Sequence, residues 1–432
     1  MKRRFMLILF ALATLMSCEE TKNDEHPVKT GDGGEEGYFA TKYQNPVIRN
    51  NAADPYVFDD RENTGYFYAY STQNGTSGDA NCVYLPVYRS KDMVNWELVG
   101  NAFGGMQRPQ WVADTRIWAP EVEYIGGRYC LYYAEGHWST PSLSAVGVAV
   151  SDSPAGPFTW TNLKSINPQA DANGMLVDYK TTGVTNSIDP DVIRDEKTGE
   201  LYLFWGSFGT SEGGVHAIKL TDDGLAIAPG ATKTYIAFEC EGTYVHYKNG
   251  YYYYFGSKGS CCDGAKSTYH VVVARSQNIL GPYVGKDGKE IRTKSAAFDN
   301  ATNTILSGPS SGYFAGTGHN ANILTDDKGK DWMCYHAFWS GNSYNGRCML
   351  MDEIVWGDGW PSFKTGLPTE GKVAGPTWKN PEGQTKALQM QQYVDNFDAE
   401  SLLETGDNCG CRNTWELSEE YANKYEIKPI YE

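Results

Sequence analysis

One short phrase occurs five times in this chain, and no other feature narrows its fold so far. The copies are Asp54-Pro-Tyr-Val, Ala119-Pro-Glu-Val, Asp189-Pro-Asp-Val, Gly242-Thr-Tyr-Val and Asn320-Ala-Asn-Ile. Each is followed by a turn and an aromatic run: Gly65-Tyr-Phe-Tyr-Ala-Tyr, Gly127-Arg-Tyr-Cys-Leu-Tyr-Tyr, Gly199-Glu-Leu-Tyr-Leu-Phe-Trp, Gly250-Tyr-Tyr-Tyr-Tyr-Phe and Gly329-Lys-Asp-Trp-Met-Cys-Tyr-His. β-branched and aromatic stretches parted by Gly, Asp, Asn and Lys read as hairpins. A further apolar run trails every copy, starting at Val87, Val146, Val215, Val271 and Met349, and these runs are expected to be the outer strands. The copies start about 50 to 80 residues apart, which is too long for a solenoid coil and suits a four-stranded blade with loops. The pattern therefore predicts an all-β, five-bladed β-propeller over residues 43–368. A β-sandwich with accidental likeness is the alternative, and the regular strand spacing speaks against it.

Length does not demand a second domain, because a ring of small sheets can reach 432 residues as one domain. The formal charge of −16 leaves no basic stripe to release counterions, so nucleic acid is excluded as a partner and a neutral or basic ligand is favoured. The chain begins with a basic Met1-Lys-Arg-Arg and an apolar stretch, Phe5 to Met16, too short to span a bilayer, which together predict an export signal. That stretch ends in Leu15-Met-Ser-Cys18, which resembles the lipobox of bacterial lipoproteins. The resemblance implies a signal peptide over 1–18, lipidation of Cys18 and a membrane anchor, at the outer membrane or cell surface. Acidic, Gly-rich residues follow, and 19–42 is expected to be a flexible tether. The repeat stops after the ring, so 369–432 is an extension that could close the ring, pack beneath it or begin a further module. The remaining cysteines lack the paired spacing of a zinc site; the close pairs are Cys261-Cys262 and Cys409-Gly-Cys411.

In a propeller the first strand of each blade lines the central channel, so the residues that open the five copies converge at one mouth. Asp54, Asp189 and Glu241 stand there, Glu241 with a one-residue offset, together with His319 and Trp118. Singly, Asp-Pro is a common opener of turns. Three acids in one register are different, because gathered like charges raise one another's pKa and cost stability. The chemistry that uses such a cluster is glycoside hydrolysis, with one carboxylic acid to protonate the leaving oxygen and one carboxylate to activate water or attack.

Here the chain resembles glycoside hydrolase family 43, in Ala53-Asp54-Pro55, Ile117-Trp-Ala-Pro-Glu121, Ser187-Ile-Asp189-Pro190, Trp205-Gly-Ser-Phe208 and Glu241-Gly-Thr-Tyr-Val. The resemblance implies Asp54 as general base, Glu241 as general acid and Asp189 as the group that tunes the acid's pKa. Single-step inversion comes with it and calls for about 6.5 to 9.5 Å between base and acid. Gly256-Ser-Lys-Gly-Ser-Cys261-Cys262-Asp-Gly-Ala-Lys-Ser267-Thr268-Tyr269 and Gly316-Thr-Gly-His319-Asn320 are similar to stretches of the endo-acting 1,5-α-L-arabinanases. That likeness implies α-1,5-linked arabinan as substrate, and a calcium ion in the channel held by His319, mostly through waters. Two positions depart from the arabinanase pattern: Thr243, where Pro is usual, and Ala53, where many carry His.

Sugar rings present apolar CH faces that stack on flat side chains, which makes Trp118 the first candidate for substrate contact, followed by Phe208, Phe314 and Trp339. Arg347 resembles an Arg that exo-acting relatives use for sugar hydroxyls. An exo-acting α-L-arabinofuranosidase or β-xylosidase on the same scaffold and a non-catalytic glycan-binding lipoprotein are the rival readings. The presence of all three acids argues against the second.

Overall fold

The structure, a computed structural model, describes residues 37–74, 82–105, 108–111, 116–137, 139–208, 214–293, 298–308 and 312–379. The expected signal peptide, Cys18, most of the tether, and 380–432 with Cys409 and Cys411 lie outside these residues.

Five antiparallel sheets succeed one another along the chain as the blades of a β-propeller. Blade 1 is built from Tyr56–Asp60, Tyr66–Tyr70, Pro86–Ser90 and Glu97–Asn101, and blade 2 from Arg116–Ile125, Arg128–Gly136, Ala145–Ser151 and Met175–Asp178. Blade 3 contains Asp191–Arg194, Leu201–Trp205, Val215–Lys219 and Thr234–Ala237. Blade 4 contains Glu241–Lys248, Tyr251–Lys258, His270–Ser276 and Val284–Gly285, with Thr304–Leu306 also paired to the third strand. In blade 5 the first strand is broken into Phe314–Gly318 and Ile323–Thr325; both pieces pair with Asp331–Trp339, followed by Arg347–Gly357 and Trp360–Phe363. The runs at Val87, Val146, Val215, Val271 and Met349 are third strands rather than outer ones. The outermost strands run only two to five residues, too short for an apolar pattern to stand out in the sequence.

The core lies between blades. Five apolar clusters fill the five junctions, and the one joining blade 5 to blade 1 packs Val57, Phe67 and Ala69 against Trp332, Cys334, Met349 and Met351. Each fully buried large side chain contributes about 1.5–3 kcal/mol. Nearer the axis, the third residue of the repeated phrase links neighbouring blades: Glu121 Oε2 accepts the Val192 N–H at 2.7 Å, Asp191 Oδ2 the Val245 N–H at 3.0 Å and Asn322 Oδ1 the Val57 N–H at 3.2 Å.

The ring is closed by the chain ahead of blade 1. Val47 and Ile48 N–H donate to the Met349 carbonyl, Ala52 N–H donates to that of Arg347, and Tyr43 and Asn45 hydrogen-bond the Asp352 carboxyl. One domain boundary needs correction here. Tyr38–Tyr43 is a strand, not tether, and it pairs antiparallel with Val373–Lys379, part of the C-terminal extension. Burial alternates from Ala40 to Tyr43, and Trp378 of the partner strand packs against Phe67, which accounts for the order of this stretch.

Candidate active site

A residue in the left-handed backbone region stands at or near the start of the first strand of every blade: Asp54 (φ 51°) and Asp189 (56°) two residues ahead of it, Gly242 (58°) and Ala119 (43°) second and fourth within it, and His319 (46°) at the break between its two pieces in blade 5. In the fifth copy the left-handed residue is His319, one residue before Asn320. For a residue with a Cβ this conformation costs about 1–2 kcal/mol and persists only where neighbours hold it. The holders come from the preceding blade. Thr72 Oγ1 accepts the Ala119 N–H at 2.9 Å, Asp189 Oδ2 the Gly242 N–H at 3.0 Å, Ser257 Oγ the His319 N–H at 2.8 Å and His336 Nδ1 the Asp54 N–H at 3.1 Å. Glycine is needed at 242, where an added Cβ would lie 3.2 Å from the His319 ring.

The left-handed turns bring side chains from distant stretches of chain around one cavity. Asp54, Trp118, Asp189, Glu241, His319 and Arg347 line it, with His137, Pro141, Asn186, Ile188, Cys261 and Cys262. Asp54 is 7 % exposed and strongly engaged: Arg347 Nη1 donates to its Oδ1 at 2.7 Å, Thr72 Oγ1 donates to its Oδ2 at 2.6 Å, and His319 Nδ1 lies 3.2 Å from Oδ1. Burial raises its pKa, but the Arg347 guanidinium, then His319 and His336, outweigh this and hold the carboxyl well below the usual carboxylate range. His336 is wholly buried between His319 and Tyr269, and burial pushes it down to about 3; its Nδ1 lies 3.1 Å from both the Asp54 amide nitrogen and Asp54 Oδ1.

Glu241 lies at the other extreme. Burial, with the Asp54 charge, raises its pKa against hydrogen bonds from Ser207 and Tyr269 and the pull of Arg347. Tyr269 donates to Oε1 at 2.8 Å and the Ser207 hydroxyl stands against Oε2. Burial and the charges of Glu241 and Asp54 raise Asp189 as well. The Asp189–Glu241 pair therefore keeps a proton at a pH where an isolated carboxylic acid has lost it. Within the pair, Asp189 Oδ2 accepts the Gly242 N–H, which favours its charged form.

Trp118 spreads its ring over Gly136, where a Cβ would come within 1.7 Å of it. The other three aromatic candidates do not line the cavity. Phe314 is a correction: it is fully buried in the core between blades 4 and 5, because it begins the inner strand Phe314–Gly318 with its side chain inward. Trp339 is half-buried against the same cluster, under the Arg49 guanidinium, and Phe208 is partly exposed outside the cavity lining. Thr72, Ser207, Tyr269 and His336, which hold the acids, escaped the sequence reading. Ser207 and Tyr269 stand within quoted phrases, and their common signal is position, at or just past the end of a second strand or of the loop after it.

The sequence profile of the glycosyl hydrolases family 43 matches residues 43–361. The chain belongs to that family. It is 30% identical over 68% of its length to an extracellular exo-α-(1→5)-L-arabinofuranosidase of Cellvibrio japonicus, 82% of which is covered. An extracellular endo-α-(1→5)-L-arabinanase of Bacillus subtilis is 29% identical over 65% of this chain and 80% of its own. Among solved structures, the Cellvibrio cellulosa α-L-arabinanase complexed with arabinohexaose superposes with a TM-score of 0.59 at 27% identity, covering 73% of this chain and 96% of that one. As a family 43 enzyme, the protein is a glycosidase acting on O-glycosyl bonds.

Calcium takes six to eight oxygen ligands. Around His319 the Asp54 oxygens are taken by Arg347 and Thr72, and Asp189 Oδ2 by Gly242, and among the described residues no group of three or more His, Cys, Asp or Glu could hold a metal directly. A calcium ion near His319 would accordingly be held mostly through waters, as the resemblance implies, rather than by a direct cage of these side chains.

Proposed function

We propose that this family 43 glycosidase cleaves α-1,5-linked L-arabinan in a single inverting step. Asp54, a deprotonated general base, takes a proton from water as the water attacks the anomeric carbon. Glu241 gives its proton to the leaving oxygen, and Asp189 holds the Gly242 amide beside it and helps keep that proton in place. The observation that carries this reading is the opposed displacement of two carboxyls in one cavity: Asp54 is held down by Arg347 and His319, and Glu241 is raised by burial. Trp118 offers a face for a sugar ring, and the arabinan specificity of the relatives supports the substrate. Incubation with linear arabinan, branched arabinan, xylan and aryl glycosides tests it, with the anomeric configuration of the first product read by NMR. Retention, or hydrolysis of xylan alone, defeats the proposal. Asp54→Asn and Glu241→Gln should each lower kcat by at least about 10²-fold.

A second reading, exo-action, is favoured by the place of Arg347 in the cavity and by the exo-acting Cellvibrio relative. Release of one or a few sugars per encounter, rather than a ladder of products, distinguishes it. We further propose that the protein is exported and lipidated at Cys18, on the strength of the Leu15-Met-Ser-Cys18 phrase and the extracellular relatives. Cys18→Ser should move the protein from the membrane fraction to the soluble fraction and abolish labelling by radioactive palmitate.

A further inference from the structure

Cys261 and Cys262 are joined by a disulfide, and both line the catalytic cavity. A bridge between neighbours in sequence closes the shortest possible loop, so it removes almost no entropy from the unfolded chain. It is not what holds the surrounding loop either. Ser260 N–H donates to Thr268 Oγ1 at 3.0 Å, Thr268 and Tyr269 N–H both donate to the Ser260 carbonyl, Asp263 N–H donates to Ser267 Oγ at 2.8 Å, and Ser267 packs on Gly316 of blade 5. Stability gives no reason for the bridge. Its chemistry gives one: joined sulfurs have lost the rotamer freedom of two thiols and offer a soft, weakly hydrated surface without strong donors or acceptors.

The location of that surface specifies its use. The loop leaves the strand Tyr251–Lys258, whose Ser257 pairs with Glu241, and it returns at Tyr269, whose hydroxyl donates to Glu241 Oε1. The disulfide thus belongs to the acid's own blade and lines the same cavity as Glu241. Across the cavity stand Trp118 and Pro141 of blade 2. We infer that the Cys261–Cys262 disulfide is the apolar wall of the leaving-group subsite, against which the departing sugar lays a CH face while Glu241 protonates its oxygen. This rests on the proposed glycosidase mechanism, though not on the identity of the sugar.

The test compares the wild type with Cys261→Ala/Cys262→Ala on whichever oligosaccharide of an arabinan, xylan and galactan panel the wild type cleaves, and on the corresponding glycosyl fluoride, whose leaving atom fills no sugar-sized space. A wild type active on xylan instead of arabinan removes the substrate reading and leaves this comparison intact. The expected result is about a tenfold fall in kcat/KM on the oligosaccharide, carried mainly by KM, with the fluoride unchanged and Tm unchanged. A dithiol, passing two electrons and two protons to the bridge and itself becoming a cyclic disulfide, should reproduce the loss in the wild type and add nothing in the double variant. Equal loss on oligosaccharide and fluoride, unchanged kcat/KM on both, or a fall in Tm that accompanies the loss each overturns the proposal.

Discussion

Two carboxyls of the same chemical kind are driven in opposite directions by what touches them. Asp54 meets a guanidinium at 2.7 Å, whereas Glu241 meets two neutral hydroxyls. The depressed base is competent until pH falls below the ordinary carboxylate range, and the raised acid keeps its proton above that range. The pH profile of kcat/KM should therefore be bell-shaped and broad, with its acidic limb set by Asp54 and its alkaline limb by Glu241. Arg347→Ala removes the largest of the influences that depress Asp54, so its expected effect is an acidic limb moved to higher pH, measured from the same profile. At this scale the sequence was legible where register alone decides, as for Asp54, Asp189 and Glu241. It was silent on Thr72, Ser207, Tyr269 and His336, whose contacts to the acids exist only once blades from distant stretches stand side by side.

Inner strands and cavity walls use aromatic residues for different purposes, and the distinction is one of element geometry. Phe314 and Trp118 belong to first strands of their blades, yet Phe314 begins a strand whose five residues are all buried, while Trp118 directly precedes the left-handed Ala119 and stands at the cavity. Trp118→Ala should weaken substrate binding with little change in Tm; Phe314→Ala should cost about 3–5 kcal/mol in denaturant unfolding and leave KM unchanged. The sequence marks both only as aromatic. Likewise the first three strands of each blade were readable from their β-branched and aromatic runs, whereas the outer strands, down to the two residues Val284–Gly285, depend on the third strand for their existence.

Across the whole ring, the axis gathers buried acids beyond the catalytic ones. Glu121, Glu123 and Asp191 are all raised by burial, Glu121 also by its acidic neighbours, and Glu123 is pushed up to about 7. A carboxyl whose pKa is higher folded than unfolded contributes stability that is complete below the unfolded value and lost as pH rises through the folded one. Tm should accordingly rise as pH is lowered from about 8 to about 6, the reverse of what cation-paired carboxylates such as Asp54 produce at still lower pH. Fivefold architecture was legible because the repeat is written in the chain. How its ends meet was not, since Tyr38 and Lys379 come together across the length of the molecule. That meeting has a topological consequence: the order of the blades along the gene is arbitrary. A short flexible linker from Lys379 to Tyr38, with new termini opened in the exposed Asn249-Gly250 turn, would give a circular permutant whose fourth blade is sewn together from both ends of the chain, and that permutant should fold and keep its activity.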